Sequence, residues 1–128
     1  MVTDARTLLP LKPLVFDVLL ALDEGARHGW SLVRDLQEQS GGAILPANFY
    51  RTLRSMLAEG LIEETDPPRH EQAAARRGDA GATFERRRYF ALTPLGREAA
   101  RLEARRLQSI VSDARTQRLL KPQAPRKS

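Results

Sequence analysis

Pro46-Ala47-Asn48-Phe49-Tyr50-Arg51-Thr52-Leu53-Arg54-Ser55-Met56-Leu57-Ala58-Glu59-Gly60-Leu61-Ile62 is the stretch on which the reading of this chain turns. Phe49, Leu53, Met56 and Leu57 recur at the spacing of an apolar helical stripe, with Tyr50 at its edge. At about 100° per residue the opposite face carries Asn48, Arg51, Ser55 and Ala58, flanked by Thr52 and Arg54. Pro46 suits the first turn, where a missing N–H costs nothing, and Gly60 suits the stop, where the chain turns left-handed. The predicted helix spans 46–59. A face of Asn, Arg, Thr, Arg and Ser suits a DNA major groove, where Arg pairs with guanine and Asn with adenine. An ordinary solvated helix face has the same composition, so the flanking sequence must decide.

Upstream, Leu14, Val15, Val18, Leu19 and Leu22 fall on one face of a helix from Lys12 to about Asp23, with Pro13 in its first turn and Gly25 as its C-cap. Ala26 to Gly29 reads as a short connection. A second helix from Gly29 or Trp30 to Ser40 carries Leu32, Val33 and Leu36, and Gly41-Gly42 ends it. Residues 1–11 show no period and are expected to be a frayed lead-in. Two bracing helices followed by one with a polar outer face are what a helix-turn-helix requires.

Downstream the period changes from helical to alternating. Leu61 to Thr65 reads as a strand, and Arg86 to Leu92 as another. Between them, residues 67–85 hold Pro-Pro, charges, alanines and glycines with almost no large apolar side chain, which predicts a loop. Two strands joined by a polar loop make the wing of a winged helix-turn-helix. Its Arg86, Arg87 and Arg88 are candidates for phosphate contact, and Arg88 has the alternative of lying along the core face. Thr93 caps and Pro94 opens a last helix over 93–120, where Leu95, Ala99, Leu102, Leu107, Ile110 and Ala114 form a narrow stripe suited to another helix. Residues 121–128 read as a disordered basic tail. The fold class is therefore α+β, mainly helical, with the winged domain over 12–92.

The 128 residues carry a net charge of +5, unevenly spread. Residues 1–66 hold six Lys/Arg against ten Asp/Glu, residues 67–96 six against three, and residues 97–128 nine against three. Basic charge thus follows the polar helix, in the loop and the C-terminal arm, as expected of a chain that meets a polyanion. Cysteine is absent, which excludes disulfides and thiol chemistry and agrees with a cytoplasmic protein. No apolar run spans a bilayer and no signal-peptide pattern opens the chain. His28 and His70 are the two histidines and have no ligand spacing around them, so no metal is expected, and His28 reads as a loop or capping residue. No phosphate-binding glycine loop or nucleophile motif is present, so neither an enzyme nor a cofactor is expected.

Taken in order, Leu19-Leu20-Ala21-Leu22 with Gly25 and His28-Gly29-Trp30, then Phe49 to Leu53 with Glu59 to Ile62, then Arg87 to Gly96, resemble the PadR family of bacterial transcriptional regulators, its short C-terminal subgroup. The resemblance covers roughly residues 14–110. It implies a winged helix-turn-helix that dimerises through its C-terminal helix. It also implies repression at a palindromic operator, often relieved by a small hydrophobic or phenolic effector. On that basis Asn48, Arg51, Thr52, Arg54 and Ser55, with Arg86 to Arg88, are the expected contacts to double-stranded DNA. The stripe from Leu95 to Ala114 is the expected homodimer interface. Trp30 either lines an effector pocket or packs. A winged-helix protein-interaction module and a nonspecific nucleic-acid binder are the alternatives.

Overall fold

The computed structural model describes residues 4–66 and 88–122. The loop 67–85, Arg86, Arg87 and residues 123–128, all read from the sequence above, lie outside the described residues. A 3-10 turn at Ala5–Leu8 leads into α1 (Pro13–Asp23), β1 (Arg27–His28), α2 (Gly29–Gln39), α3 (Pro46–Ala58), β2 (Ile62–Thr65), β3 (Tyr89–Leu92), α4 (Pro94–Ser112) and α5 (Ala114–Leu120). This is the mainly helical α+β architecture expected.

One core joins the elements. Val18, Leu19 and Leu22 of α1 meet Leu32 and Leu36 of α2 and Phe49, Leu53 and Met56 of α3. Leu61, Ile62, Phe90 and Ala99 close it from the wing and the last long helix. The turns that set the helices against one another sit where glycine is needed: Gly41 and Gly42 follow α2 at φ +67° and +83°, and Gly60 follows α3 at φ +78°.

The sheet is antiparallel, in the order β1-β3-β2. Ile62 lies opposite Leu92 and Thr65 opposite Tyr89. The two-residue strand β1 corrects the expectation of a plain connection before α2. Arg27 and His28 pair with Phe90 and Tyr89, and the Gly29 N–H donates to the Arg88 carbonyl at 3.0 Å. Two residues cannot show a period of two, and their partner lies some 60 positions away, so no local pattern marks them.

Two further expectations are corrected. Residues 4–11 are seated, not frayed: Asp4 caps the 3-10 turn, Ala5 is buried, and the Leu11 N–H donates to the Glu103 carboxylate at 3.0 Å. The last helix is not continuous, because Asp113 leaves helical geometry at φ −61°, ψ 136°. Its carboxylate accepts the Arg115 N–H at 2.8 Å and starts α5 afresh. An aspartate that can cap a new turn competes with continuation of the old one.

Candidate nucleic-acid interface

The helix α3 is presented by what lies behind it. Phe49, Leu53 and Met56 are buried in the core that α3 shares with α1 and α2, with the Tyr50 ring set edge-on to Phe49 at 5.3 Å between centroids. That leaves Asn48, Arg51, Arg54 and Ser55 exposed on the opposite face. Arg51 is exposed and makes no ion pair among the described residues. Thr52 is half-buried, and its hydroxyl donates to the Asn48 carbonyl at 2.9 Å. The proton of that hydroxyl is therefore spent on the helix backbone. The Ser55 hydroxyl donates to the Glu59 carboxylate at 3.4 Å. The five residues singled out from the sequence are thus brought to one surface, with four of them open.

The wing stem places Arg88 differently. Its guanidinium is ion-paired with Glu64 across the strands and lies 5.9 Å from the centre of the Phe90 ring. Arg88 is thus held against the sheet, the second of the two places open to it from sequence. Glu63 within β2 and Asp66 just after it are exposed, so the described base of the wing is acidic. Positive charge from the wing has to come from residues beyond it.

The joint between α3 and α4 is tighter than the sequence suggested. Thr93 donates its hydroxyl to the Gly60 carbonyl and accepts the Gly96 N–H at 3.0 Å, while the Thr93 N–H reaches the Leu61 carbonyl at 3.3 Å. Gly96 lies flat against Leu61. Thr93 is the N-cap that the sequence predicts, and it also ties the end of α3 to the start of α4. The Thr-Pro-x-Gly pattern was the available signal, and the second partner lies too far away in sequence to be inferred from it.

This is a winged helix-turn-helix with an outward polar helix, and the model of the PadR-like transcriptional regulator family matches residues 18–102. The chain belongs to the PadR-like family. The PadR-like chain is accordingly a DNA-binding transcriptional regulator. Among solved structures it is similar to a complex structure of hsRosR-S4, at 24% identity and TM-score 0.63, covering 91% of this chain and 90% of that one. It is also similar to a PadR-like transcriptional regulator from Bacillus cereus, at 19% identity and TM-score 0.63, covering 86% and 93%. A transcriptional regulator from Clostridium thermocellum matches at 14% identity and TM-score 0.60, covering 94% and 100%. These likenesses show the fold. No curated protein matches the chain.

In this PadR-like fold the stripe on the last helix divides. Ala99 is fully buried in the chain's own core, and Leu95 and Leu102 pack half-buried against it. Farther along, Ile110 and Val111 are 45% and 48% exposed. Ala114 is exposed and falls beyond the break at Asp113. Between the two parts Glu103 is only 2% exposed, paired with Arg106 and accepting the Leu11 N–H. The Arg106 guanidinium, helped by that N–H, holds the Glu103 carboxyl below its ordinary range despite its burial.

Trp30 stands on the surface of the PadR-like domain, with the Arg34 guanidinium 4.2 Å over its ring. It does not enter the core. His28 caps α2, its Nδ1 accepting the Trp30 N–H at 3.3 Å, and its ring meets the edge of Tyr89 at 5.3 Å. Among the described residues there is no group of His, Cys, Asp or Glu suited to hold a metal ion, and no helix is long and apolar enough to cross a membrane.

Proposed function

We propose that this PadR-like regulator is a cytoplasmic, dimeric repressor of a palindromic operator. Each α3 enters a major groove, with Asn48 and Arg51 on base edges and Arg54 and Ser55 on bases or backbone. Two-fold symmetry puts the half-sites about one helical turn, ~34 Å, apart. Arg86 and Arg87 take flanking phosphates, while Arg88 braces the wing that carries them. The observation that carries this reading is the division of α3 into a buried apolar face and an open face of Asn48, Arg51, Arg54 and Ser55. Ile110 and Val111 supply the apolar surface that a second copy covers. An effector, where one acts, is a small hydrophobic or aromatic molecule, and Trp30 reports its arrival by fluorescence.

The test is binding to the DNA upstream of the protein's own gene, against a scrambled competitor, at several salt concentrations. Binding that withstands the scramble and weakens steeply with salt is expected. Equal competition by the scramble would instead support a nonspecific binder at that DNA. The acidic balance of residues 1–66, six Lys/Arg against ten Asp/Glu, favours one second reading, a protein-interaction module. It would show as negligible, salt-independent DNA affinity.

A further inference from the structure

Leu45 precedes α3 and is 68% exposed, more than any other large apolar side chain ahead of α5 in the described residues. It occupies the N-cap position, in extended geometry at φ −80°, ψ 133°, with no side-chain capping bond. Helices favour Ser, Thr, Asp or Asn there, because the side chain satisfies an orphan N–H. Leucine forgoes that bond, and its side chain stays in water, so neither the helix nor the core gains from it. Its position is nevertheless fixed. The Leu45 carbonyl accepts the Phe49 N–H at 3.0 Å, and the Gln37 side-chain amide donates to the Ile44 carbonyl at 3.1 Å.

Its neighbours share its character. No charged residue occurs from Gln39 to Tyr50, in a chain in which 29% of residues are charged. Pro46 and Ala47 are exposed beside Leu45. Along the helix, at about 100° per residue, Leu45 falls some 20° from Thr52 and some 60° from Asn48. Thr52 has its hydroxyl proton committed to the Asn48 carbonyl, so it has no proton to donate to a base. Asn48 is thus flanked on one side by groups without hydrogen-bond donors. Three residues of helix advance about 4.5 Å, close to the ~3.4 Å step between base pairs.

We infer that Leu45 reads the C5 methyl group of a thymine adjacent to the base contacted by Asn48. The thymine methyl is the one apolar feature that a base edge presents in the major groove, and apolar side chains recognise it. Leu45 is then a specificity-determining residue. This rests on the proposed entry of α3 into the major groove.

The experiment begins with duplexes selected from a random library by the wild-type protein. Thymines of the half-site are then replaced one at a time by deoxyuridine, which deletes the methyl and keeps base pairing. Wild-type affinity should fall roughly three- to fivefold at one or two positions, the size expected for one methyl-sized apolar contact. Leu45→Ala should bind the thymine duplex as weakly as the wild type binds the deoxyuridine duplex, with no further loss on replacement. Because Leu45 is exposed, circular dichroism and Tm should match the wild type. A full methyl effect in Leu45→Ala, or no methyl effect in the wild type while Arg51 still governs sequence preference, overturns the role of Leu45 alone. Selection that yields no preferred sequence overturns both this role and operator reading.

Discussion

A Cβ placed on Gly96 would lie 1.9 Å from the carbonyl oxygen of Leu61. The start of α4 therefore rests directly on the backbone that leaves α3. Backbone cannot swing aside as a long side chain can, so a methyl here must push two elements apart. Gly96→Ala should cost roughly 1–3 kcal/mol, as overpacking of a tight contact does. Chemical denaturation reads this directly. DNA affinity per folded molecule should fall as well, since the same joint sets the angle of α3. An unchanged midpoint would show that the contact yields easily.

Glu103 gives a pH dependence. The Arg106 guanidinium and the Leu11 N–H favour its charged form in the folded chain, and burial only partly opposes them. A folded pKa below the ordinary glutamate value of 4.5 means that the charge contributes stability above that value and loses it as pH falls through the folded pKa. Glu103→Gln should be less stable than wild type at pH 7, and the gap should narrow below about pH 4.5. Urea melts of both proteins at pH 7 and in the acid range measure the narrowing. A constant gap would mean that the amide loses packing or hydrogen bonds only.

Arg51 and Arg88 should separate into recognition and support. Arg51 touches solvent, so Arg51→Ala should leave Tm unchanged while weakening operator binding by roughly 1–3 kcal/mol. Arg88 is paired with Glu64 and set beside the Phe90 ring. Arg88→Ala should lower stability by up to about 1 kcal/mol, the range of partly exposed pairs, and should weaken specific and random DNA alike. Titrations against operator and scrambled duplexes, with melting curves beside them, check both halves of the statement.

The division of the last helix predicts two kinds of variant. Ile110→Asp or Val111→Asp should leave each chain folded and shift the oligomer to monomer, seen by sedimentation. Leu102→Ala should instead lower Tm, because Leu102 packs on the chain's own core. If Ile110→Asp remains dimeric with an unchanged dissociation constant, the covering surface lies elsewhere.

The sequence alone determined the elements whose signal is local. A stripe at helical spacing marks α3 because burial on one side is a property of about four turns, and Phe49, Leu53 and Met56 are the residues buried. Glycine at positions 41, 42 and 60 marks turns because positive φ excludes most side chains. The polar face of α3 follows from the same periodicity, so Asn48, Arg51, Arg54 and Ser55 were legible as its exposed residues. The order of the short motifs carried the family.

Only the tertiary structure decided what depends on partners distant in sequence. Leu11 meets Glu103, Arg27 meets Phe90, and Gly60 meets Thr93, each a contact between segments that no window spans together. An apolar stripe on a helix shows that something covers it, not whether the cover is the same chain. The structure assigns Ala99 and Leu102 to the chain's own core and leaves Ile110 and Val111 open. Thr52 could be named as polar from its identity, but the use of its hydroxyl proton on the Asn48 carbonyl follows from its rotamer within the helix. A leucine beside a helix start has no local mark of exposure, and only the packing shows that nothing among the described residues covers Leu45.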